Sequence, residues 1–401
     1  MNKIELLAPA GDLARLKIAV MYGADAVFIG GKKFSLRSRA SNFDLPAIRE
    51  GVEFAHRYGA HVHVTVNMIP HDDDFNEFDQ YLLALDECEV DAIIVASPYY
   101  LTRAKALGCN FEVHLSTQQS ITNSQAIKFY EQLGADRVVL AREHTMDELK
   151  QIKMNTNVPI EVFTHGGMCV NYSGRCTLSN YMTNRDANRG GCAQSCRWKY
   201  EILNDEQRVI TDNFSMSSKD MNAIDQLKDF MDLGITSLKI EGRMKTEYYI
   251  ATIVRAYRQA IDELALNKPV EEVLLKARAE LLNAENRATS NGFYGGIPSA
   301  SGHLYGINGR DVNQAFVGKV VGYDKEEKRA YLEIRNQFNK NDLLEFFGPK
   351  RESVRFYPLE MINSEQEETE RFYKPMEIVS IKSEYEMVPG DFIRKVLTND
   401  H

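Results

Sequence analysis

Eight short segments rich in apolar and β-branched residues recur between Ile4 and Arg243, and the stretches between them carry apolar residues at helical spacing. They are IELLAPAG from Ile4, ADAVFIGG from Ala24, HVHVTVNM from His61, VDAIIVAS from Val90, FEVHLSTQ from Phe111, ADRVVLAR from Ala135, IEVFTHGG from Ile160 and SLKIEGR from Ser237. Intervening stretches such as DLARLKIAVMYG and NAIDQLKDFMDLG present one apolar face each. Strands alternating with helices pair in parallel through right-handed crossovers, and a count of eight favours a closed (β/α)8 TIM-like barrel over an open doubly wound sheet. Gly23, Gly59, Gly134 and Gly234 stand where a helix hands over to the next strand, the place of a left-handed C-terminal cap.

The alternation breaks once. Between the seventh segment and the next helix, which the pattern predicts to start near Ser217, lies an insertion at about 167–216, far longer than an ordinary strand-to-helix loop. It holds Cys169, Cys176, Cys192 and Cys196 on glycine-rich, polar backbone unsuited to a hydrophobic core, so the four thiols read as ligands. Their gaps of six, fifteen and three residues match neither a paired zinc ribbon nor a ferredoxin run, nor the C-x3-C-x2-C of radical enzymes built on S-adenosylmethionine. Four thiolates suffice for a [4Fe-4S] cluster and equally satisfy tetrahedral Zn2+, and the spacing does not choose between them. Two disulfides are the third reading; MNKIELLAPAG lacks the basic-then-apolar signature of an export signal, which points to a reducing cytosol. Cys88 and Cys109 lie outside this group and read as structural.

In a (β/α)8 barrel the site forms where the strands end. Those loops are polar and basic: Arg37 and Arg39 after the second strand, His114, Ser116 and Gln118 around the fifth, Arg142 and Glu143 after the sixth, His165 at the end of the seventh, and Glu241, Arg243 and Lys245 after the eighth. The insertion adds Arg175, Arg185, Arg189, Arg197 and Lys199. The catalytic candidates are His165, His114, Glu241 and Arg243. Arg37, Arg39, Arg142 and Lys245 are the candidates for holding an anionic cofactor or co-substrate, because a guanidinium fork offers two parallel hydrogen bonds to a carboxylate or phosphate. Tyr172, Tyr181 and Trp198 offer faces that either stack a base or shield the cysteines. The net charge of −9 argues against generic nucleic-acid affinity, whereas a basic mouth on an acidic protein points to an anionic ligand.

A chain of 401 residues, 44% apolar, supports a large core plus a smaller unit. YYIATIVRAYRQAIDELAL and VEEVLLKARAELLNAEN read as two long helices completing a catalytic domain over 1–286. The Gly-, Ser- and Asn-rich stretch 287–314 reads as a linker, and the short strand patterns over 315–401 as a small all-β barrel domain. No apolar run reaches the roughly 20 residues of a membrane span. The expectation is a cytoplasmic protein without a membrane partner.

The stretch EVFTHGGMCVNYSGRCTLS, from Glu161 to Ser179, resembles the signature of the collagenase-like peptidases, family U32, through Glu161, Phe163, Gly166, Met168, Cys169, Gly174, Cys176, Leu178 and Ser179. Gly167 stands where that signature has serine or alanine. FSLRSRASNF and LKIEGRMK also resemble family segments, so the likeness runs to about Arg310. Despite the family name, it implies iron-sulfur-dependent, oxygen-independent hydroxylation, of tRNA wobble uridine, of a ribosomal RNA cytidine or of a quinone precursor. Size and the single C-terminal β domain are most similar to the tRNA branch, which forms 5-hydroxyuridine with prephenate as the implied hydroxyl donor. By this resemblance Cys169, Cys176, Cys192 and Cys196 become ligands of a [4Fe-4S] cluster in preference to Zn2+, tRNA and the dicarboxylate prephenate become partners, and a paralogous subunit of the same family is a further one. The alternatives are a U32-type peptidase, for which no G-x-S-x-G elbow or H-E-x-x-H helix is present, and a non-catalytic Fe-S or Zn assembly protein.

Overall fold

The computed structural model describes residues 4–36, 42–284, 287–304 and 315–396. Strands β1 (Glu5–Pro9), β2 (Ala26–Gly30), β3 (His61–Val66), β4 (Ala92–Val95), β5 (Glu112–Leu115), β6 (Arg137–Val139) and β7 (Ile160–Gly166) follow one another in parallel around a ring. Within the insertion, β8 (Tyr200–Leu203) and β9 (Val209–Phe214) form a hairpin, and β10 (Asp220–Asn222) runs antiparallel to the end of β7. The ring is closed by β11 (Ser237–Ile240), hydrogen-bonded to β7 on one side and β1 on the other. This is the (β/α)8 barrel that the eightfold alternation calls for.

Each barrel strand leads to a helix on the outside: α1 (Leu13–Met21), α2 (Leu45–Arg57), α3 (Phe78–Glu87), α4 (Pro98–Leu107), α5 (Ser124–Gln132) and α6 (Met146–Met154). A short α7 (Leu178–Thr183) belongs to the insertion; α8 (Leu227–Asp232) and α9 (Glu247–Ala265) complete the outer ring, and α10 (Val270–Leu282) packs on α9. Asp12, Asp44, Asn123 and Thr145 cap their helices by accepting from backbone N–H groups of the first turn. Gly23, Gly59, Gly134 and Gly234 all have positive φ at the handover to the next strand. The helix expected near Ser217 begins instead at Leu227, because β10 first takes Asp220–Asn222 to pair with His165 and Gly166.

Strands β7 and β11 match Ser237 with Glu161, Leu238 with Val162 and Lys239 with Phe163, then slip by one residue so that Ile240 faces His165. Such a bulge re-aims the side chains beyond it. His165 packs between Tyr249 and Tyr257 of α9, with ring centroids 6.1 and 5.7 Å away.

The main core lies between ring and helices, where Leu6, Val27, Val64, Ile93, Val162 and Leu238 meet Leu16, Ile48, Leu82, Leu101, Phe230 and Ile253. Inside the ring, Leu7, Ala26, Phe28 and Ile94 form a separate small cluster. The rest of the interior is polar. Glu161 accepts from Lys239 Nζ at 2.7 Å and from Arg137 at 3.4 Å, Arg137 also reaches Glu5 at 2.5 Å, and the buried rings of His63 and His114 stand edge to face 4.9 Å apart.

The stretch after α10 packs onto the barrel: β12 (Thr289–Ser290) pairs with β10, and buried Tyr294 donates to the Phe163 carbonyl at 2.7 Å. The C-terminal domain is an antiparallel half-barrel. Its seven-stranded sheet runs in the order 354–356, 344–347, 392–395, 316–324, 329–334, 378–382 and 361–362 over a core of Val317, Leu332, Ile334, Phe346 and Ile393. It is seated on the barrel by aromatic packing, with Tyr248 stacked on Phe316 at 4.4 Å, and by Glu280, which takes both Arg394 and Arg255.

Candidate functional site

The insertion leaves the barrel at Gly166, whose φ of +104° and whose clearance from the Glu241 carbonyl, 2.0 Å from a would-be Cβ, leave room for nothing larger than glycine. It is then stitched back across the C-terminal mouth. Arg189 reaches the Ile69 carbonyl at 2.8 Å and the Asp74 carboxylate at 2.5 Å after β3; Arg175 donates to the Gln118 carbonyl at 2.5 Å after β5; the Ser173 amide and hydroxyl both donate to Glu143, each at 2.8 Å, after β6. Loops from three strands therefore hold one lid.

The lid itself carries the four cysteines, Cys192 exposed and the other three half-buried. Burial pushes the Cys169 thiol up, with the charges of Cys176 and Cys192 acting in the same sense and Arg142 opposing; burial together with Cys169, Cys192 and Cys176 pushes Cys196 up to about 11, against Arg197. Cys169 and Cys196 thus both lie within electrostatic reach of other thiols of the group, as in a thiolate donor set for a metal centre. The Cys176 sulfur accepts from Asn171 Nδ2 at 3.1 Å and from the Leu178 amide at 3.3 Å, and Asn188 clamps the backbone of Cys176 at both its N–H and its C=O. Among the described residues, the trio of His, Cys, Asp or Glu ligand atoms lying within 4.8 Å of one another is His63, His114 and Glu161, so the sulfurs are spread more widely than that.

Beside Cys196 lies a basic recess. Asp220 sits 3.4 Å from Lys245 Nζ and 3.6 Å from Arg287 Nε, and Arg287 is fixed by Ser217 Oγ at 2.6 Å and the Ser218 carbonyl at 2.9 Å. Burial brings Lys245 below its ordinary value, Asp220 opposes, and Arg197 and Arg287 act with burial. Arg287 is lowered by burial and by Arg197, while Asp220 and Cys196 oppose. Two cations on one carboxylate, with the charge of Arg197 acting on both, leave an excess of positive charge in a half-buried place, chemistry that draws in an anion.

The sequence candidates divide accordingly. Lys245 stands in the recess, and Arg142, lying 3.8 Å over the Phe163 ring, faces Cys169. Arg37 and Arg39 lie outside the described residues. Arg243 ties loops together, donating to Ser35 Oγ at 3.2 Å, Thr65 Oγ1 at 3.3 Å and the Leu36 carbonyl. Glu241 backs the start of the lid, its amide on the His165 carbonyl at 2.7 Å. His165 is brought down to about 3 by burial against α9, and His114 lies in the barrel interior, donating from Nε2 to the Glu112 carboxylate at 2.8 Å. Asp220, Arg287, Asn171 and Asn188 were not legible as site residues: Arg287 opens a glycine-rich stretch read as linker, and an asparagine in a polar loop carries no signal of its own.

The sequence profile of peptidase family U32 matches residues 11–303, and that of the peptidase family U32 C-terminal domain matches 312–394. The chain is 43% identical over 402 residues to tRNA hydroxylation protein P1 of Bacillus subtilis, covering 98% of this chain and 95% of that protein. It is 39% identical over 346 residues to a 23S rRNA 5-hydroxycytidine synthase of Escherichia coli, covering 83% and 50%, and 32% identical over 408 residues to a collagenase of Porphyromonas gingivalis, covering 98% and 97%. Among the described residues no helix is long and apolar enough to cross a membrane.

Proposed function

We propose, from the premise that this chain belongs to peptidase family U32 across both of its domains, that it modifies RNA: it hydroxylates tRNA wobble uridine to 5-hydroxyuridine without O2, in the cytoplasm, with a [4Fe-4S] cluster on Cys169, Cys176, Cys192 and Cys196 and prephenate as hydroxyl donor. Relatives named for tRNA hydroxylation and for rRNA 5-hydroxycytidine synthesis support the RNA reading. The observation that carries it is the gathering of four thiols on one lid at the barrel mouth, with Cys196 next to the recess where Lys245 and Arg287 meet Asp220 and Arg197 acts on both cations.

The donor set suits the cluster. Four thiolates are the usual ligands of a [4Fe-4S] cluster, and the two N–H groups on Cys176 are the bonds that tune such sulfurs. When bound, the cluster supplies electron transfer and Lewis acidity. The chain's own residues do the rest: Lys245, Arg287 and Arg197 take the carboxylates of the donor, Asp220 holds two of those cations in place, and the stitched lid keeps bulk water from the reacting groups. Proteolysis finds less support, since burial pushes Cys88 and Cys109 up, the reverse of an activated nucleophile.

Nucleoside mass spectrometry of tRNA from a deletion strain tests the reading: 5-hydroxyuridine and its alkylated derivatives disappear and return with the wild-type gene but not with Cys176→Ser. Unchanged levels overturn it. Anaerobic purification yields iron and acid-labile sulfide; stoichiometric zinc in their place rejects the cluster.

A further inference from the structure

We propose that the cavity beside Cys176 receives the unpaired pyrimidine base to be modified, an assignment that rests on the RNA-hydroxylase reading and deepens it. The cavity measures about 600 Å3 and lies between the lid and the loops after β3 and β4. That is within the range of small-molecule sites, which pair mainly apolar walls with a few directed polar groups. Ile69 and Pro98 supply apolar walls for the faces of a ring, and Cys176 places the four-thiol group at its edge. The hydroxyls of Ser97 and Thr177 line it without a hydrogen bond to another described residue, and a hydroxyl both donates and accepts. Such a pair can read the alternating acceptor and donor edge of a uracil.

Charge separates this cavity from the recess. Its lining has a single cation, Arg175, held at its Nε by the Gln118 carbonyl and more than a third exposed, which suits one phosphate at the rim. A dicarboxylate is better served by Lys245, Arg287 and Arg197. Cys176 thus faces the cavity and Cys196 the recess, so the neutral base and the anionic donor approach one four-thiol group from two of its members. The surrounding surface agrees with a nucleic-acid loop as the occupant. Over 167–199 there are five basic side chains, Arg175, Arg185, Arg189, Arg197 and Lys199, against one acidic, Asp186, in a chain of net charge −9. Tyr172, Tyr181 and Trp198 on the same lid are 52, 85 and 41% exposed, faces on which neighbouring unpaired bases stack. A base already unpaired in a loop enters at little cost.

The test uses the anaerobically purified holoprotein and an anticodon stem-loop RNA carrying 4-thiouridine at the target position. Photocrosslinking followed by peptide mapping is expected to place the crosslink on the peptides containing Ser97 and Thr177. Ser97→Trp, which fills the cavity, is expected to abolish that crosslink while RNA affinity measured by fluorescence anisotropy stays within about threefold, since one base among many contacts is lost. Thr177→Val keeps the shape and removes one hydroxyl, with an expected loss of about fivefold in crosslink yield, the worth of one hydrogen bond. Crosslinks mapping elsewhere, or unaltered by both variants, overturn the base pocket and leave the hydroxylase reading standing. RNA that neither binds nor crosslinks overturns both.

Discussion

Asn171 donates through Nδ2 to the sulfur of Cys176 at 3.1 Å, on the same thiol that the Leu178 amide reaches at 3.3 Å. A neutral donor aimed at a ligand sulfur stabilises the more negative, reduced state of a bound cluster. Asn171→Leu is therefore expected to retain iron and to shift the reduction potential downward, measured by electron paramagnetic resonance during a redox titration. An unchanged potential in an iron-replete variant rejects the assignment of this bond to the metal centre.

Glu161 is fully enclosed in the barrel, with Lys239 on one oxygen and Arg137 on the other. Removing one partner of a buried pair leaves an uncompensated charge and costs about 3–5 kcal/mol. Glu161→Gln should lose that much in urea unfolding, and the double variant with Lys239→Met should regain most of it. Equal stability of the two variants would show that the pairs do not share their charge.

A Cβ at Gly30 would lie 2.0 Å from the Arg243 guanidinium and 2.6 Å from Ser35 Oγ. Because Arg243 is tied to Ser35, Thr65 and Leu36, it has nowhere to withdraw. Overpacking of this kind costs about 1–3 kcal/mol, and Gly30→Ala is expected to lower the melting temperature and the tRNA product together. Wild-type values for both would show that the loop after β2 yields freely.

Glu280 on α10 accepts from Arg394 at 2.7 and 3.0 Å and from Arg255 at 3.0 Å, linking the half-barrel to the barrel. Glu280→Ala leaves Arg255 without a carboxylate and Arg394 with Glu345 alone, each guanidinium being largely buried. The expected result in calorimetry is the splitting of one cooperative transition into two, with the half-barrel melting first. A single transition at the wild-type temperature contradicts it.

Stability should fall in mild acid. Burial holds His63 and His114 well below the ordinary imidazole value, and brings His165 to about 3. Unfolded imidazoles take up protons near pH 6.5, so below that value the unfolded state binds more protons and is favoured, by up to ~1.4 kcal/mol per pH unit for each such group. Above it the three contribute fully. His61, raised by its hydrogen bond to Asp91, acts in the opposite sense from an exposed position. Urea midpoints are expected to hold from pH 8 to about 7 and to drop steeply toward pH 5; a midpoint constant to pH 5 refutes the buried-imidazole account.

The fold was largely legible because its signals are local. HVHVTV, EVHL and IEVFTHG mark strands by composition, and the capping Asp12, Asp44 and Thr145 mark where helices begin. Of their polar members, His114 reads as a catalytic candidate and Glu161 only as part of the family signature, and no local pattern marks them, with His63, as an inner charged layer. The insertion stood out through its length and its thiols. The short β10 escaped notice because three residues paired by a distant strand edge leave no periodicity.

From its sequence alone the chain determines eight alternating units, one overlong loop bearing four cysteines, and a C-terminal run of short strands, since periods of two and of 3.6 residues are written along the backbone itself. Only the tertiary structure decided that Arg287 joins Lys245 around Asp220, that a bulge turns His165 onto α9, and that Asn171 serves the Cys176 sulfur. These relations unite residues brought together by ring closure and strand register, or by the exact turn of a loop. A register shift of one residue sends a side chain to the other face, and no local pattern records where that shift occurs.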